Sequence, residues 1–121
     1  MNILIIDDSS AMRMVVKKTL RMAGFEGHTI SEAEDGAAAL ERIRQSVPDL
    51  VLSDWNMPNL SGIDLLAKLG EEGIKVNFGF VTTEATAEMR DKAAGAGAKF
   101  LIAKPFTPET FSMTLAPFIK N

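Results

Sequence analysis

Residues 50–58 read LVLSDWNMP, an apolar run that ends in a serine and an aspartate. Consecutive apolar residues without alternation are typical of a strand in the middle of a parallel sheet, where helices cover both faces. Asp54 would then stand at the carboxyl end of that strand. In an open α/β sheet, ligands and chemistry collect along this edge. The segment therefore predicts an α/β protein whose functional site includes the Asp54 carboxylate.

Three other apolar runs end in the same way, with a polar side chain directly after a strand-like segment. They are residues 2–6 followed by Asp7 and Asp8, residues 78–81 followed by Thr82, and residues 100–103 followed by Lys104. Because the carboxyl ends of parallel strands meet at one edge of the sheet, we expect these side chains to lie close to Asp54. Acids, a hydroxyl and an ammonium together suit a hard metal ion, a phosphoryl group and a nucleophilic carboxylate.

Helix-like segments separate these runs, so strands and helices alternate along the chain as in βαβ units. A further strand is expected over residues 28–33, where polar and apolar residues alternate as in an exposed edge strand. Apolar spacing and capping residues predict the helices. They are expected from Ser9 and Ser10 to before Gly24, from Ala37 to Val47, from Ile63 to a C′ glycine at Gly70, from Thr86 to Ala96, and from Thr107 through Ile119.

The fourth of these helices has the poorest apolar face. Its inner side carries only Met89 and alanines, and Gly95 and Gly97 lower its helix propensity further. A helix that buries little apolar area has low local stability. We therefore expect this helix to move when the protein changes state.

The composition is that of one folded domain. The chain has 121 residues, of which 46% are hydrophobic, and it contains no cysteine. A net charge of −3 provides no basic field for nucleic acid, the chain opens on no signal-peptide pattern, and no apolar stretch approaches the ~18 residues of a membrane span. We expect a single cytoplasmic, monomeric domain over residues 1–121, with no output domain, no nucleic-acid partner and no membrane insertion.

The polar residues at the strand ends have two interpretations. One of Asp7 and Asp8 can cap the following helix while the other is solvated. Together with Asp54 they instead match the oxygen ligands of Mg²⁺, which keeps several waters and takes only a few carboxylates. Lys104 can extend into solvent, as lysines often do, but a tight turn at Pro105 would direct it inward. We favour the metal site and the inward lysine.

The strand ends carry a set of motifs that a known family shares: Asp7, Asp8, Asp54, Thr82 and the pair Lys104-Pro105. In this order they resemble the receiver domain of two-component response regulators. The resemblance covers the whole chain, and residues 53–59, 81–85 and 104–107 are similar in particular to the chemotaxis regulators of that family. It implies an α/β, flavodoxin-like (βα)5 sandwich, doubly wound around a five-stranded parallel sheet of order 2-1-3-4-5.

The resemblance also implies a metal site around the phosphoacceptor. Asp54 would accept a phosphoryl group from a histidine kinase in the presence of Mg²⁺. Asp8, Asp54 and the backbone carbonyl of Asn56 would bind the metal directly, and Asp7 would help through water. Trp55, which follows Asp54 on a loop, is expected to be partly exposed beside this site.

Four further roles follow from the same resemblance. Lys104 and Thr82 would contact the phosphoryl group, while Asn56 and Glu84 would set the rate at which the acyl phosphate is hydrolysed. The protein would then be a phosphorylation-activated switch and not an enzyme, since its only chemistry is its own phosphorylation and dephosphorylation. It would signal by binding a partner, a flagellar motor switch or another signalling protein.

One position departs from the family pattern. Receivers usually carry Tyr or Phe three residues before the site lysine, but here that position is Leu101, with Phe100 one place earlier. Since successive side chains of a strand point to opposite faces, Phe100 is expected on the other face of the sheet. The aromatic switch of the family is therefore not carried over to this chain.

Two other functions remain open on the sequence. Haloacid-dehalogenase-like phosphatases also combine a strand-end aspartate, a threonine and a lysine with Mg²⁺. They carry a second aspartate two places after the nucleophile, however, where this chain has Asn56. The other alternative is a receiver that binds its partners without phosphate, which the intact set of acids, Thr82 and Lys104 argues against.

Overall fold

The computed structural model describes residues 1–119, in which five strands alternate with five helices. All strand pairs are parallel, and the sheet order is β2-β1-β3-β4-β5. The predicted flavodoxin-like fold is thereby confirmed, including the edge position of β2. The elements are β1 Asn2–Ile6, α1 Ser10–Met22, β2 Thr29–Ala33, α2 Gly36–Gln45, β3 Leu50–Ser53, α3 Gly62–Glu71, β4 Asn77–Thr82, α4 Ala87–Gly95, β5 Phe100–Ala103 and α5 Pro108–Leu115.

The core consists of two apolar layers, one on each face of the sheet. Strand side chains alternate between them: Val51 packs with the residues of α2, α3 and α4, whereas Leu50 and Leu52 pack with those of α1 and α5. The four residues of β3 are all buried, as expected for a central strand covered on both faces. Fully burying one Leu or Phe side chain stabilises the fold by about 1.5–3 kcal/mol, so these layers fix the strand ends firmly.

Each helix begins at a residue whose side-chain oxygen accepts a backbone N–H three residues later, which satisfies one of the free donors of the first turn. These N-cap residues are Ser9, Asp35, Ser61, Thr86 and Thr107. The expected serine and threonine caps of the first and fifth helices are confirmed, and the fourth helix begins next to Thr86, where it was expected. Along the described residues, no helix is long and apolar enough to cross a membrane.

Three predicted helix ends are wrong. Helix α5 ends at Leu115 and does not continue through Ile119. Helix α3 continues through Gly70 to Glu71, and the residue with left-handed backbone is Gly73, with a φ of 70°. Helix α2 ends at Gln45, so Val47 lies outside it and is 49% exposed. Local signals such as a glycine or a proline therefore predict these helix ends only to within a few residues.

The poor apolar face of α4 is confirmed, because Ala93 is its only buried residue. Helix α5 by contrast buries Phe111 and Leu115, and Ile119 just beyond it is buried as well. The two helices therefore differ strongly in how firmly packing holds them to the sheet. Movement of α4 during signalling stays a prediction.

Candidate functional site

The acidic residues meet where β1 and β3 end side by side. Ile6 pairs with Ser53 across these strands, and the Asp54 N–H donates to the Ile6 carbonyl over 2.9 Å. Asp7 and Asp54 are therefore neighbours at the same sheet edge. One carboxylate oxygen from each of Asp7, Asp8 and Asp54 lies within 4.8 Å of the other two.

The three carboxylates differ in exposure: Asp7 is buried, Asp54 is half-buried and Asp8 is exposed. Their oxygens are hard ligands, and the cluster is open to solvent on the side of Asp8. This donor set fits a hard divalent cation that keeps part of its water shell. The Asp7 side chain also accepts the Ser9 N–H over 2.9 Å, so it orders the start of α1 as well.

Lys104 points into this cluster from the end of β5. Its Nζ lies 3.0 Å from Oδ2 of Asp7 and 3.6 Å from Oδ2 of Asp54, and only 11% of its side chain is exposed. The inward direction expected from the sequence is confirmed. The backbone N–H of Lys104 donates to the Thr82 carbonyl over 2.9 Å, and the bond to Pro105 is cis. The lysine thus partly neutralises two acids at once.

The Asp54 carboxyl has a raised pKa. Burial is the main cause, because it disfavours the charged form, and the nearby charges of Asp7 and Asp8 act in the same direction. Lys104 and the Trp55 N–H, which donates to Oδ1 over 2.7 Å, partly oppose this shift. The carboxylate is therefore held at a site where extra positive charge would be stabilising.

The end of β4 lies on the other side of Asp54. The Thr82 side chain is fully buried, and its Oγ1 accepts the N–H of Glu84 over 3.3 Å. Glu84 in turn accepts a hydrogen bond from the side chain of Asn56 over 2.9 Å. The structure thus brings together the loops after β3 and β4, on which the predicted site residues Asp54, Asn56 and Glu84 lie.

The expected partial exposure of Trp55 is wrong. Only 6% of the residue is exposed, and its ring packs against Phe80 with the ring centroids 4.6 Å apart. Its carbonyl accepts the Gly62 N–H over 2.8 Å. A large aromatic side chain gains more from burial than a loop position alone suggests, so the indole belongs to the core while its backbone N–H faces the site.

Leu101 and Phe100 point to opposite faces of β5, as expected from the sequence. Leu101 packs against the layer formed with α2, α3 and α4, whereas Phe100 belongs to the opposite layer. The Phe100 ring lies on Gly79, where an added β-carbon would collide with it, and contacts Phe118 at a centroid distance of 5.4 Å. Phe100 is therefore on the face away from the position of the family's aromatic residue.

Sequence reasoning missed Arg13, which supports the cluster from α1. Its guanidinium donates to the Asp7 carbonyl over 2.6 Å and to Glu32 over 2.9 Å. Lys17 also pairs with Glu32, over 2.9 Å. These contacts join α1 to β2 and fix the backbone of the acidic loop. No local pattern in the sequence marks an arginine for this contact.

The hydrogen bond between Asp35 and Asn59 was also not expected from the sequence. The Asn59 side chain donates to Oδ2 of Asp35 over 2.8 Å, which links the start of α2 to the loop between β3 and α3. Asp35 directly precedes the alanine-rich start of a helix, a common N-cap signal. That signal could have identified the cap, but not the partner on another loop.

Comparison with known proteins gives consistent results. The response regulator receiver domain family matches residues 3–116. Chemotaxis protein CheY-3 of Vibrio cholerae serotype O1 is 43% identical over 117 residues, covering 95% of this chain and 88% of that protein. Chemotaxis protein CheY of Pseudomonas aeruginosa is 41% identical over 111 residues, with 90% and 88% covered.

Solved structures agree with these sequence matches. The structure of Vibrio cholerae chemotaxis protein CheY4 superposes with a TM-score of 0.84 at 30% identity and covers 98% of both chains. The signal receiver domain of a LuxO repressor protein from Vibrio parahaemolyticus, at 22% identity, shares the fold with a TM-score of 0.88 over 97% of this chain and 88% of that one. The chain therefore belongs to the family of response regulator receiver domains, which are phosphorylation switches of two-component systems and not conventional enzymes.

Proposed function

We propose that this receiver accepts a phosphoryl group on Asp54 in a Mg²⁺-dependent reaction and transmits the signal by binding a partner. One observation carries the proposal: the carboxylates of Asp7, Asp8 and Asp54 converge within 4.8 Å, and Lys104 contacts Asp7 from inside the cluster. Membership of a two-component family implies a histidine kinase as the phosphodonor.

Asp54 is the proposed nucleophile. Its carboxylate oxygen bonds to phosphorus while the bond from phosphorus to the donor's histidine nitrogen breaks, and the imidazole leaves with the electron pair. Oδ1 accepts the Trp55 N–H, whereas Oδ2 lies 3.6 Å from the Lys104 ammonium. This difference between the two oxygens fixes the orientation of the carboxylate before the donor arrives.

Lys104 and Thr82 are the proposed contacts of the phosphoryl oxygens. The ammonium already lies between Asp7 and Asp54, so it can follow negative charge as the charge moves from the donor to Asp54. The Thr82 hydroxyl is buried and its oxygen accepts the Glu84 N–H, so that its proton can be donated to a phosphoryl oxygen. Motion of Thr82 toward that oxygen would carry the following loop with it.

Asp7, Asp8, Asp54 and the carbonyl of Asn56 are the proposed holders of Mg²⁺. When bound, the ion supplies positive charge that offsets the acids and the incoming phosphoryl oxygens. The raised pKa of Asp54 supports this assignment, because burial and two neighbouring acids disfavour its charge in the protein alone. Protons should accordingly compete with the metal.

Asn56 and Glu84 are the proposed residues that set the lifetime of the acyl phosphate. Their side chains are hydrogen-bonded to each other over 2.9 Å and both are exposed. In the proposed reaction they would contact the water molecule that attacks phosphorus. An amide at position 56 does not provide the general acid and base that a phosphatase acting on external substrates needs. The asparagine at position 56 therefore supports self-dephosphorylation over turnover of external substrates.

We also propose a role in chemotaxis. The relatives at 43% and 41% identity are chemotaxis proteins, and a monomeric, cytoplasmic receiver would act through a flagellar motor switch or another signalling protein. The expected result is that an acyl-phosphate mimic with Mg²⁺ strengthens binding to the motor switch protein of the source organism. Equal binding with and without the mimic would favour a phosphate-independent receiver instead.

Phosphorylation itself is tested with a small phosphodonor and Mg²⁺. One base-labile phosphoryl group should be added to the wild-type protein and to Asp64→Asn, a control that removes an exposed acid on α3. Asp54→Asn should take up none. Labelling that persists in Asp54→Asn would identify a hydroxyl acceptor and overturn the mechanism, and steady phosphate release from unrelated monoesters would favour a phosphatase.

Metal binding is tested by titrating Mg²⁺ while recording the fluorescence of Trp55, the only tryptophan of the chain. The response is expected because the Trp55 N–H donates directly to Asp54. Asp8→Ala should abolish it, and Asp64→Asn should leave it unchanged. An unaltered response in Asp8→Ala would remove that residue from the site.

A further inference from the structure

Asp35 has no role in the proposed phosphorylation chemistry. Its carboxylate is nevertheless buried, since only 9% of the residue is exposed. Both of its oxygens are engaged. Oδ1 accepts the Ala38 N–H over 2.7 Å and so caps α2, while Oδ2 accepts the side-chain N–H of Asn59 over 2.8 Å. A serine or threonine would supply the cap alone, so the second bond is what distinguishes the aspartate here.

Asn59 lies in the loop between β3 and α3 and has left-handed backbone, with a φ of 68°. Among residues other than glycine, asparagine tolerates this conformation best. The next residue, Leu60, donates its N–H to the Pro58 carbonyl over 2.8 Å, so the chain turns tightly at this point. Asn59 therefore serves both as the turn residue and as the donor to Asp35.

Backbone contacts fix the same loop at both ends. A β-carbon at Gly36 would collide with the Leu60 backbone, and one at Gly62 would collide with the Asp54 carbonyl. The Gly62 N–H also donates to the Trp55 carbonyl over 2.8 Å. The loop is thus held beside the phosphoacceptor at one end and against the start of α2 at the other.

Asn56 lies between these two attachments and is exposed, and its side chain donates to Glu84 over 2.9 Å. We propose that Asp35 and Asn59 are positioning residues: their hydrogen bond sets the loop over residues 55–60 so that Asn56 faces the acidic cluster. They would thereby control metal affinity and the rate of phosphoryl transfer without touching either ligand. This inference rests on the proposed function of the cluster.

The test uses variants that separate positioning from capping. Asn59→Gly keeps the left-handed turn and removes the donor. Asp35→Ser keeps the cap of α2 but is too short to reach Asn59. Asp35→Asn is the conservative rescue, because its amide oxygen can still cap and its amide N–H can donate to the Asn59 side chain after that amide turns over.

Three quantities are measured on each full-length variant: the Mg²⁺ dissociation constant from Trp55 fluorescence, the initial rate of phosphorylation by a small phosphodonor, and amide exchange over residues 55–60 without metal. Asn59→Gly and Asp35→Ser should each weaken Mg²⁺ binding and slow phosphorylation by about three- to tenfold, as expected for the loss of one hydrogen bond. Exchange in the loop should rise in both. Asp35→Asn should stay within about twofold of the wild-type protein.

The double variant Asp35→Ser/Asn59→Gly should be no worse than the poorer single variant, since both changes remove the same bond. Wild-type rates together with unchanged loop exchange in the single variants would overturn the proposal, as would fully multiplicative effects in the double variant. A wild-type protein that takes no phosphate, with exchange still rising in the variants, would refute the proposed function but not the control of the loop. The two failures are therefore distinguishable.

Discussion

At Asp54, burial conflicts with the proposed function, because burial disfavours the charged carboxylate that would attack phosphorus. Its pKa is raised, mainly by burial, above the ordinary value of 3.8. Between these two values the folded protein binds more protons than the unfolded chain. The stability that this group contributes is therefore fully present below pH 3.8 and is lost as the pH rises through the folded pKa.

Replacing Asp54 by an uncharged residue should remove this loss of stability. In metal-free buffer near pH 7, we expect Asp54→Asn to unfold at a higher temperature than the wild-type protein, by the equivalent of about 0.5–2 kcal/mol. The advantage should shrink as the pH falls through the folded pKa of Asp54, because the wild-type carboxyl then becomes protonated. Thermal unfolding measured across this pH range checks the prediction, and a variant that is less stable at pH 7 would contradict it.

Two glycines at the end of α3 should respond in opposite ways to substitution by alanine. Gly70 lies within the helix, and an added β-carbon would meet nothing within 4 Å. Gly73, just past the helix, has a φ of 70°, which a side chain strains. The two positions are only three residues apart, so they form a matched pair.

Gly70→Ala should stabilise the protein by about 0.5–1 kcal/mol, because alanine favours the helix and restricts the unfolded chain. Gly73→Ala should destabilise it by a comparable amount or more, since it must adopt left-handed backbone. Denaturant unfolding of both variants is the measurement. Stabilisation by Gly73→Ala would mean that the turn does not need a left-handed residue.

Among the five described helices, α4 buries the fewest residues. Ala93 is its only buried residue, and Arg90 reaches across to the Leu101 carbonyl over 3.2 Å from an exposed position. Exposed hydrogen bonds and little buried apolar area give low local stability. A switch acts by shifting the balance between existing states, so the least stable element should respond first.

We therefore expect an acyl-phosphate mimic with Mg²⁺ to change amide exchange mainly over residues 83–96, with small changes around Leu101. Leucine at that position lacks the ring whose movement would otherwise accompany Thr82. Helix α5, which buries Phe111 and Leu115, serves as the internal reference. Exchange changes confined to α5 would show that α5, and not α4, is the element that responds to phosphorylation.

At the level of the whole molecule, the sequence was informative wherever a local pattern decides the structure. Apolar runs place Asp54, Thr82 and Lys104 at strand ends, and parallel pairing then brings those ends to one edge. The sequence was uninformative where the outcome depends on contacts between distant segments. Trp55 is buried because Phe80 is available beside it, which no feature of its own loop reveals.

The link between Asp35 and Asn59 shows the same limit for polar groups. The two residues lie 24 positions apart on different loops, and they meet only because α2 and the loop after β3 pack side by side. The support of Asp7 by Arg13 likewise depends on how α1 docks on the sheet. Strand ends are thus predictable from the sequence, but the side chains that hold them in place are not.

The converging acids affect the stability of the entire fold, because folding adds a repulsion between Asp54 and the pair Asp7 and Asp8. Asp8→Ala should relieve part of it, so without metal this variant should unfold at a higher temperature than the wild-type protein. Mg²⁺ that binds only the folded state should reverse this order: a concentration one hundred times the dissociation constant adds about 2.7 kcal/mol to the wild-type protein and nothing to the variant. The two midpoint curves should cross as Mg²⁺ rises, with Asp64→Asn following the wild-type protein throughout. A lower midpoint for Asp8→Ala without metal would show that Asp8 stabilises the start of α1 more than it repels its neighbours, and parallel curves would exclude it from the metal site.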